Sequence, residues 1–237
     1  MRFDKEIYDI EKAWEQLGED SFYKDRSLRH LFSQNEKMME TIEANPDKYF
    51  INFNIPALKT CPCRGECENL CYALSGRYIF KNVIAALEWR WKMSKRDDFR
   101  WFVNYELEKW KNKKKAKGRK MYVRVHDSGD YYNKEYAMKW IQIAKDNPDM
   151  IFYSYTKCVS MWHEIMDDGL MPDNYRIIMS TMGKEDALIR PTDRRAVIVK
   201  DKEHIVEGMI DGTGNDYHAT YARIVALPYH GTKKVDL

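Results

Sequence analysis

From Lys48 onward the chain alternates strand-like runs with helical patterns, and this alternation limits the folds open to it. Strand signals begin at Lys48, Met121, Met150 and Tyr175, and weaker ones cover 196–200 and 224–228. Apolar residues at helical spacing lie between these first four signals, and the last of these helical stretches covers 159–168. Strands that alternate with helices need crossover connections. The sequence therefore predicts an α/β fold built as a partial (βα)6-type parallel barrel.

The first 45 residues have a different pattern. Ile7, Ile10, Trp14 and Leu17 form one apolar stripe at helical spacing, and Gly18 is a plausible helix stop. We therefore predict an N-terminal helical extension at 1–45 and a single α/β domain at 46–237.

Composition indicates a reducing compartment. No apolar run approaches the roughly 20 residues that span a bilayer, and the N-terminus lacks the apolar region of a secretory signal. The sequence thus predicts a cytoplasmic protein without a membrane partner. Five cysteines in such a compartment favour metal ligands or reactive thiols over a disulfide framework.

Positive charge is concentrated in one stretch, although the net charge is only +3. The stretch from Lys109 to Lys120 (KWKNKKKAKGRK) holds eight positive residues. A solvated helix end is the simpler interpretation, because cations favour a helix C-terminus. Contact with nucleic acid is the alternative.

Four of the five cysteines lie within eleven residues, at Cys61, Cys63, Cys67 and Cys71. Their spacing lacks the paired C-x₂-C knuckles of structural zinc sites, although four thiolates could still enclose zinc. A short loop that supplies three thiolates to an iron-sulfur cube and leaves one iron open fits this compact spacing better.

Polar loops follow four of the predicted strands. They are the cysteine loop, the segment from His126 to Asp130, the segment from Tyr155 to Lys157, and Ser180 with Thr181. Chemistry in parallel sheets collects at the carboxyl ends of the strands. We therefore expect these four loops to share one rim.

Several motifs together resemble a known family. They are FNIPA from Phe53, TCP from Thr60, Cys67, CYA from Cys71, Gly76, Tyr78, VHDSGD from Val125 and FYSYTK from Phe152. These blocks resemble the phage gene-product-88-like family, whose members are similar to radical S-adenosylmethionine (radical SAM) enzymes. The resemblance covers about residues 48–160, and a weaker match lies at 227–231.

The resemblance implies a metal site. By it, Cys61, Cys67 and Cys71 hold a [4Fe-4S] cluster, and Cys63 is an extra thiol. Their C-x₅-C-x₃-C spacing departs from the C-x₃-C-x₂-C that radical enzymes generally use. Residues 201–230 contain no cysteine, so no second metal site is expected.

The resemblance also implies roles for the rim residues. The S-adenosylmethionine ligand would contact a set of polar and aromatic residues: Tyr72, Ser128, Gly129, Asp130, Tyr155, Thr156 and Ser180. The candidate catalytic residues are His126, Asp127 and Lys157. Simpler interpretations are that His126 and Asp127 form a structural pair, that Asp127 or Asp130 caps the next helix, and that Cys158 is a small buried residue.

The leading prediction is a radical SAM-type enzyme that reductively cleaves S-adenosylmethionine with an electron from an external donor. Its substrate, a small molecule or a nucleic-acid-derived compound, is not identified by the sequence. The alternative is a zinc-stabilised nucleic-acid-binding module that uses all four clustered cysteines and the 109–120 stretch. A third hypothesis is an iron-sulfur enzyme that acts on nucleic acid bound by the 109–120 stretch.

Overall fold

A computed structural model describes residues 30–229 of the chain. The stripe predicted at Ile7, Ile10, Trp14 and Leu17 lies outside these residues, as does the motif end at 230–231. Residues 32–44, part of the predicted N-terminal extension, contribute a short strand and a helix that pack on the main sheet.

Eight strands form one sheet. In chain order they are β1 (Phe32–Ser33), β2 (Lys48–Phe53), β3 (Lys120–Val125), β4 (Ile151–Thr156), β5 (Tyr175–Ser180), β6 (Arg195–Val199), β7 (Ile210–Asp211) and β8 (Ile224–Pro228). Their spatial order is β1-β2-β3-β4-β5-β6-β8-β7. Only the β1–β2 pair is antiparallel among these neighbours. The predicted α/β class with a mainly parallel sheet is therefore confirmed.

The strand order identifies the ends of the sheet. Within residues 30–229, β1 and β7 end the order and do not pair with each other. The six predicted strands correspond to β2 through β6 and β8. The sequence pattern does not predict β1 or β7, because two residues are too few to show alternation.

Helices connect most of the parallel strands. They are α1 (Glu36–Ala44), α2 (Lys81–Ser94), α3 (Phe99–Lys111), α4 (Lys134–Asp146), α5 (Val159–Asp167) and α6 (His218–Tyr221). Between β2 and α2 the chain forms three short 3₁₀ turns at Glu66–Leu70, Tyr72–Leu74 and Gly76–Ile79. In the part of the chain that the structure covers, no helix has the length and apolar character needed to cross a bilayer.

The start of α4 corrects one expectation. Asn133 caps this helix, because its side chain accepts a hydrogen bond from the backbone N–H of Tyr136 at 2.9 Å. Neither Asp127 nor Asp130 is the cap. Both carboxylates lie farther back in the loop, where they bind other groups.

Alternating residues of β2 pack on the two faces of the sheet. Tyr49, Ile51 and Phe53 belong to the larger core cluster, which contains buried residues of α2, α3, α4 and α5. Phe50 faces the other side and packs in a second cluster with residues of β3, β4, β5, β6, α1 and α6. Both faces are therefore buried, which explains why the strands are rich in apolar residues.

The parallel register brings the strand ends together. Phe53 pairs with Val125 across β2 and β3, and Thr156 pairs with Met179 across β4 and β5. The loops that follow these strands therefore leave from one edge of the sheet, as predicted for a shared rim.

A substitution at Phe53 tests how much the helix-covered core contributes to the free energy of unfolding. The Phe53 ring is fully buried and lies 5.0 Å from the ring of Trp140. We expect Phe53→Ala to lower the free energy of unfolding by about 3–5 kcal/mol, because it removes apolar burial and leaves a cavity. Urea denaturation measures this change. Ile84→Ala, at a side chain that is 46% exposed, is the control and should cost much less.

Candidate functional site

A cavity of about 200 Å³ opens at the edge where the parallel strands end. All of the sequence-predicted site residues line it. The predicted metal ligands in its wall are Cys61, Cys67 and Cys71. The other predicted residues in its wall are Tyr72, His126, Asp127, Ser128, Gly129, Asp130, Tyr155, Thr156, Lys157 and Ser180. The rim predicted from the strand-end loops is therefore one continuous site.

Three thiols of the cysteine loop are neighbours in this cavity. Burial, together with the charges of Asp130, Cys71 and Cys67, raises the pKa of the Cys61 thiol to about 12. Burial also raises the pKa of Cys71, and the charge of Cys67 adds to this increase. The charges of Cys67 and Cys71 thus disfavour ionisation of the neighbouring thiols. A bound cation would relieve this cost, because it favours the thiolate form.

Cys63 does not line the cavity. Its thiol donates to Glu185 Oε1 at 3.6 Å, and it also contacts the thiol of Cys158. Cys158 is buried, as expected for a small packing residue, and lies outside the cavity wall. The four clustered cysteines are therefore divided into three that face the cavity and one that does not.

The arrangement of the possible metal ligands limits which kind of metal group the cavity could hold. Among residues 30–229, no three or more histidine, cysteine, aspartate or glutamate side chains converge on one point suited to a single metal ion. An iron-sulfur cluster does not require such convergence, since each thiolate binds a different iron of the cluster. The three cavity-facing thiols are the residues that could hold such a cluster.

Backbone contacts fasten the cysteine loop to the connection between β5 and β6. The N–H of Cys67 donates to the carbonyl of Met182 at 3.1 Å, and the N–H of Lys184 donates to the carbonyl of Cys63 at 3.0 Å. A Cβ on Gly65 would lie only 2.9 Å from the carbonyl carbon of Gly183. Glycine at position 65 is thus required for this close approach.

Asp127 organises the loop after β3. Its carboxylate accepts hydrogen bonds from Asn35 Nδ2 at 2.7 Å and the Tyr78 hydroxyl at 2.9 Å, and it pairs with Arg124 at 3.1 Å. The hydroxyl of Tyr72 donates to the Asp127 carbonyl. The carboxylate therefore connects the strand end to the cysteine-loop side of the cavity.

Arg124 is a site residue that the sequence pattern does not predict. Its guanidinium lines the cavity and pairs with Asp216 at 2.9 Å as well as with Asp127. Asp216 also pairs with Lys37 at 2.8 Å, so a buried ion-pair network lies beneath the cavity. A charged residue inside an otherwise apolar strand was the available signal, because an arginine there needs a buried partner.

The segment from Ser128 to Asp130 is held by short contacts. Gly129 has a φ of 85°, and a Cβ there would lie 2.5 Å from Ile55 Cγ1. Asp130 accepts hydrogen bonds from the Thr156 hydroxyl at 2.7 Å and the backbone N–H of Lys157 at 2.9 Å. Burial nevertheless raises the pKa of the Asp130 carboxyl. Thr156 therefore acts first as a positioning residue for Asp130.

His126 is buried and neutral. Its Nε2 hydrogen-bonds to the hydroxyl of Tyr136 at 2.8 Å, so its structural partner is Tyr136 and not Asp127. Burial lowers the pKa of His126 to about 3, and the positive charge of Arg124 contributes. Its Nδ1 has no hydrogen-bond partner among the described residues.

Lys157 and Tyr155 come from the end of β4. The Lys157 ammonium donates to Ser180 Oγ at 2.7 Å and to the carbonyl of Thr181 at 2.8 Å. In the described part of the chain no carboxylate pairs with this ammonium. The ring of Tyr155 lies 5.0 Å from the Arg124 guanidinium. The cavity therefore combines a cation without a carboxylate partner and an aromatic wall.

Comparisons with known proteins identify relatives of this chain. The model of a family described as "Gene product 88" matches residues 29–234. The "Gene 88 protein" of Mycobacterium phage L5 is 28% identical over 103 residues, which are 41% of this chain and 43% of that protein. The aligned region thus spans less than half of the relative. No solved structure matches the chain.

The neutral state of His126 predicts a pH effect on stability. An unfolded histidine takes up a proton below about pH 6.5, whereas His126 in the folded chain does so only near pH 3. The unfolded state therefore binds more protons between these values, and the free energy of unfolding falls as the pH falls through this window. We expect His126 to account for about 2 kcal/mol of the loss between pH 7 and pH 5.

His126→Asn isolates this contribution. Asparagine does not titrate and tolerates the φ of 69° found at this position. Urea denaturation at both pH values should give a shallower loss for the variant than for the parent chain. Equal losses would show that His126 is protonated in the folded protein.

Proposed function

The chain belongs to the Gene product 88 family, and from this premise we propose that it is a radical SAM-type iron-sulfur enzyme. Cys61, Cys67 and Cys71 hold the [4Fe-4S] cluster, and the strand-end loops bind S-adenosylmethionine. The observation that carries the proposal is the division of the cysteines, since three thiols line one cavity and Cys63 does not. Three thiolates leave one iron of a cubane without a protein ligand.

The cluster, when bound, supplies the electron that cleaves the sulfonium of S-adenosylmethionine. The protein supplies positioning and exclusion of water. Asp130 and the backbone around Gly129 accept hydrogen bonds from the ligand ammonium, while Tyr72 and Tyr155 provide aromatic contacts. The Lys157 ammonium, which donates only to neutral oxygens, attracts an anionic group. An external electron donor completes the reaction.

The candidate catalytic residues have unequal support. His126 is neutral and binds Tyr136, so it can accept or donate a hydrogen bond through Nδ1 but carries no charge near neutral pH. Asp127 is occupied by Arg124, Asn35 and Tyr78, which suits a positioning role. Lys157 remains the strongest candidate for direct contact with substrate or cofactor.

A partial (βα)6-type barrel is the fold in which we place this chemistry. Strands β2 through β6 and then β8 follow one another across the sheet, without the reversal of order that marks a doubly wound sheet. Buried residues of α2 through α5 all pack on one face of the sheet. Both features support a barrel-like winding with the cavity at the carboxyl ends of its strands.

Metal analysis after oxygen-free purification tests the cluster. We expect brown protein with about four irons and four sulfides per chain. Serine at position 61, 67 or 71 should abolish or strongly reduce iron binding, because each removes one thiolate. Cys63→Ser is the matched control and should keep the iron. Stoichiometric zinc that is lost in Cys63→Ser would instead support the four-thiolate zinc module and overturn the proposal.

A second experiment tests the reaction. Iron-loaded protein treated with dithionite and S-adenosylmethionine should release 5′-deoxyadenosine or a related fragment, detected by liquid chromatography and mass spectrometry. Cys71→Ser should release none, because it cannot hold the cluster. If the iron-loaded parent protein binds S-adenosylmethionine but releases no fragment, the cleavage step of the proposal is wrong.

A further inference from the structure

Positive side chains gather at the edge of the sheet opposite the cavity, where the parallel strands begin. Those that lie at or next to a strand start are Lys48, Lys120, Arg176, Arg194, Arg195 and Arg223. They come from five separate regions of the chain. Parallel pairing aligns the starts of the strands along one edge, so the fold assembles these cations into one row.

The loop at 112–119 adds cations to this edge on a fixed backbone. Ala116 is only 2% exposed and anchors the loop in the core. The N–H of Ala116 donates to the carbonyl of Lys113 at 2.9 Å, and the N–H of Lys120 donates to the carbonyl of Asp47 at 3.0 Å. Lys114, Lys115 and Lys117 are exposed on either side of Ala116. A partner that binds these three lysines would therefore require little further ordering of the loop backbone.

Carboxylates neutralise only part of this charge. Asp47 pairs with Lys48 at 2.8 Å, and Asp149 pairs with Lys111. Among residues 30–229, no carboxylate pairs with the cations of the loop or with Arg176, Arg194 and Arg223. Arg176 lies close enough to Arg194 that its charge, together with burial, lowers the pKa of Arg194. The two guanidinium groups therefore repel each other, and an anion bound between them would reduce this repulsion.

We propose that this basic edge, formed by the loop at 112–119 and the cations at the strand starts, binds the phosphate backbone of nucleic acid. From β2 to β8 the edge covers five strand spacings, about 24 Å along the sheet. This length matches about seven phosphates of one strand of a duplex. Arginine and lysine at such an edge contact phosphates without reading the bases.

Nucleic acid fits this edge better than an anionic membrane does. A membrane-binding surface combines cations with apolar side chains that enter the lipid. Five of the large exposed apolar side chains instead lie between Tyr72 and Ile84, in the segment that follows the cysteine loop. Beside the basic edge, exposed Tyr221 lies two residues before Arg223, so the edge carries many cations and little apolar surface.

This binding surface is separate from the cavity. Strands of five or six residues place the two edges about 17–20 Å apart. Nucleic acid bound along the basic edge would therefore lie at the opposite end of the strands from the cavity. The inference does not depend on the proposed iron-sulfur chemistry.

Fluorescence anisotropy of the full chain with a fluorescein-labelled 24-base-pair DNA duplex tests the proposal over a series of salt concentrations. The triple variant Lys114→Glu, Lys115→Glu and Lys117→Glu should weaken binding at least tenfold. It should also reduce the slope of log affinity against log salt by about 3, since three phosphate contacts are lost. Arg176→Gln with Arg194→Gln should weaken binding as well, because the proposal includes the strand starts.

A matched variant controls for net charge. Arg77→Glu, Lys81→Glu and Lys95→Glu make the same charge change at exposed positions outside the basic edge, and their effect should stay below threefold. Equal weakening by the control and loop variants would overturn the proposal. So would an absence of duplex binding at 50 mM salt, or binding to phosphatidylserine vesicles without binding to DNA.

Discussion

The pairing of Arg124 is the interaction on which the site depends. A guanidinium inside a sheet is costly unless carboxylates surround it. Arg124 meets this requirement with Asp127 in the loop after its own strand and with Asp216, 92 residues later in the chain. Lys37 of α1 completes the network through Asp216. Helix α1, strand β3 and the segment before α6 are thus joined beneath the cavity.

The cysteine loop depends on backbone contacts more than on its own short turns. Three 3₁₀ segments between β2 and α2 bury none of their side chains. Hydrogen bonds to Met182 and Lys184, with the close approach of Gly65 to Gly183, hold the loop against the connection between β5 and β6. The carboxylate of Asp186 accepts the N–H groups of Met182 and Gly183, so the connection is itself fixed. Loop position is therefore set by a distant part of the chain.

The parallel sheet gives the molecule two chemically different edges. Thiols, carboxylates and Lys157 collect where the strands end, whereas lysine and arginine collect where the strands begin. Both collections arise from one cause, because parallel strands align equivalent ends. A net charge of +3 therefore conceals a strongly uneven distribution of charge.

The sequence by itself determined the alternation of strands and helices and the strand-end loops that line the cavity, although not Arg124 in its wall. Strands β2 through β6 and β8 followed from periodicity, and the loops after four of them held the predicted site residues, since topology requires those loops to share an edge. Only the tertiary structure decided how Cys63 is kept out of the cavity and which distant partners bind Arg124 and Asp127. These features depend on contacts between residues far apart in the chain, such as Cys63 with Glu185. Local periodicity carries no information on such contacts, because the register of the strands and the paths of the loops create them.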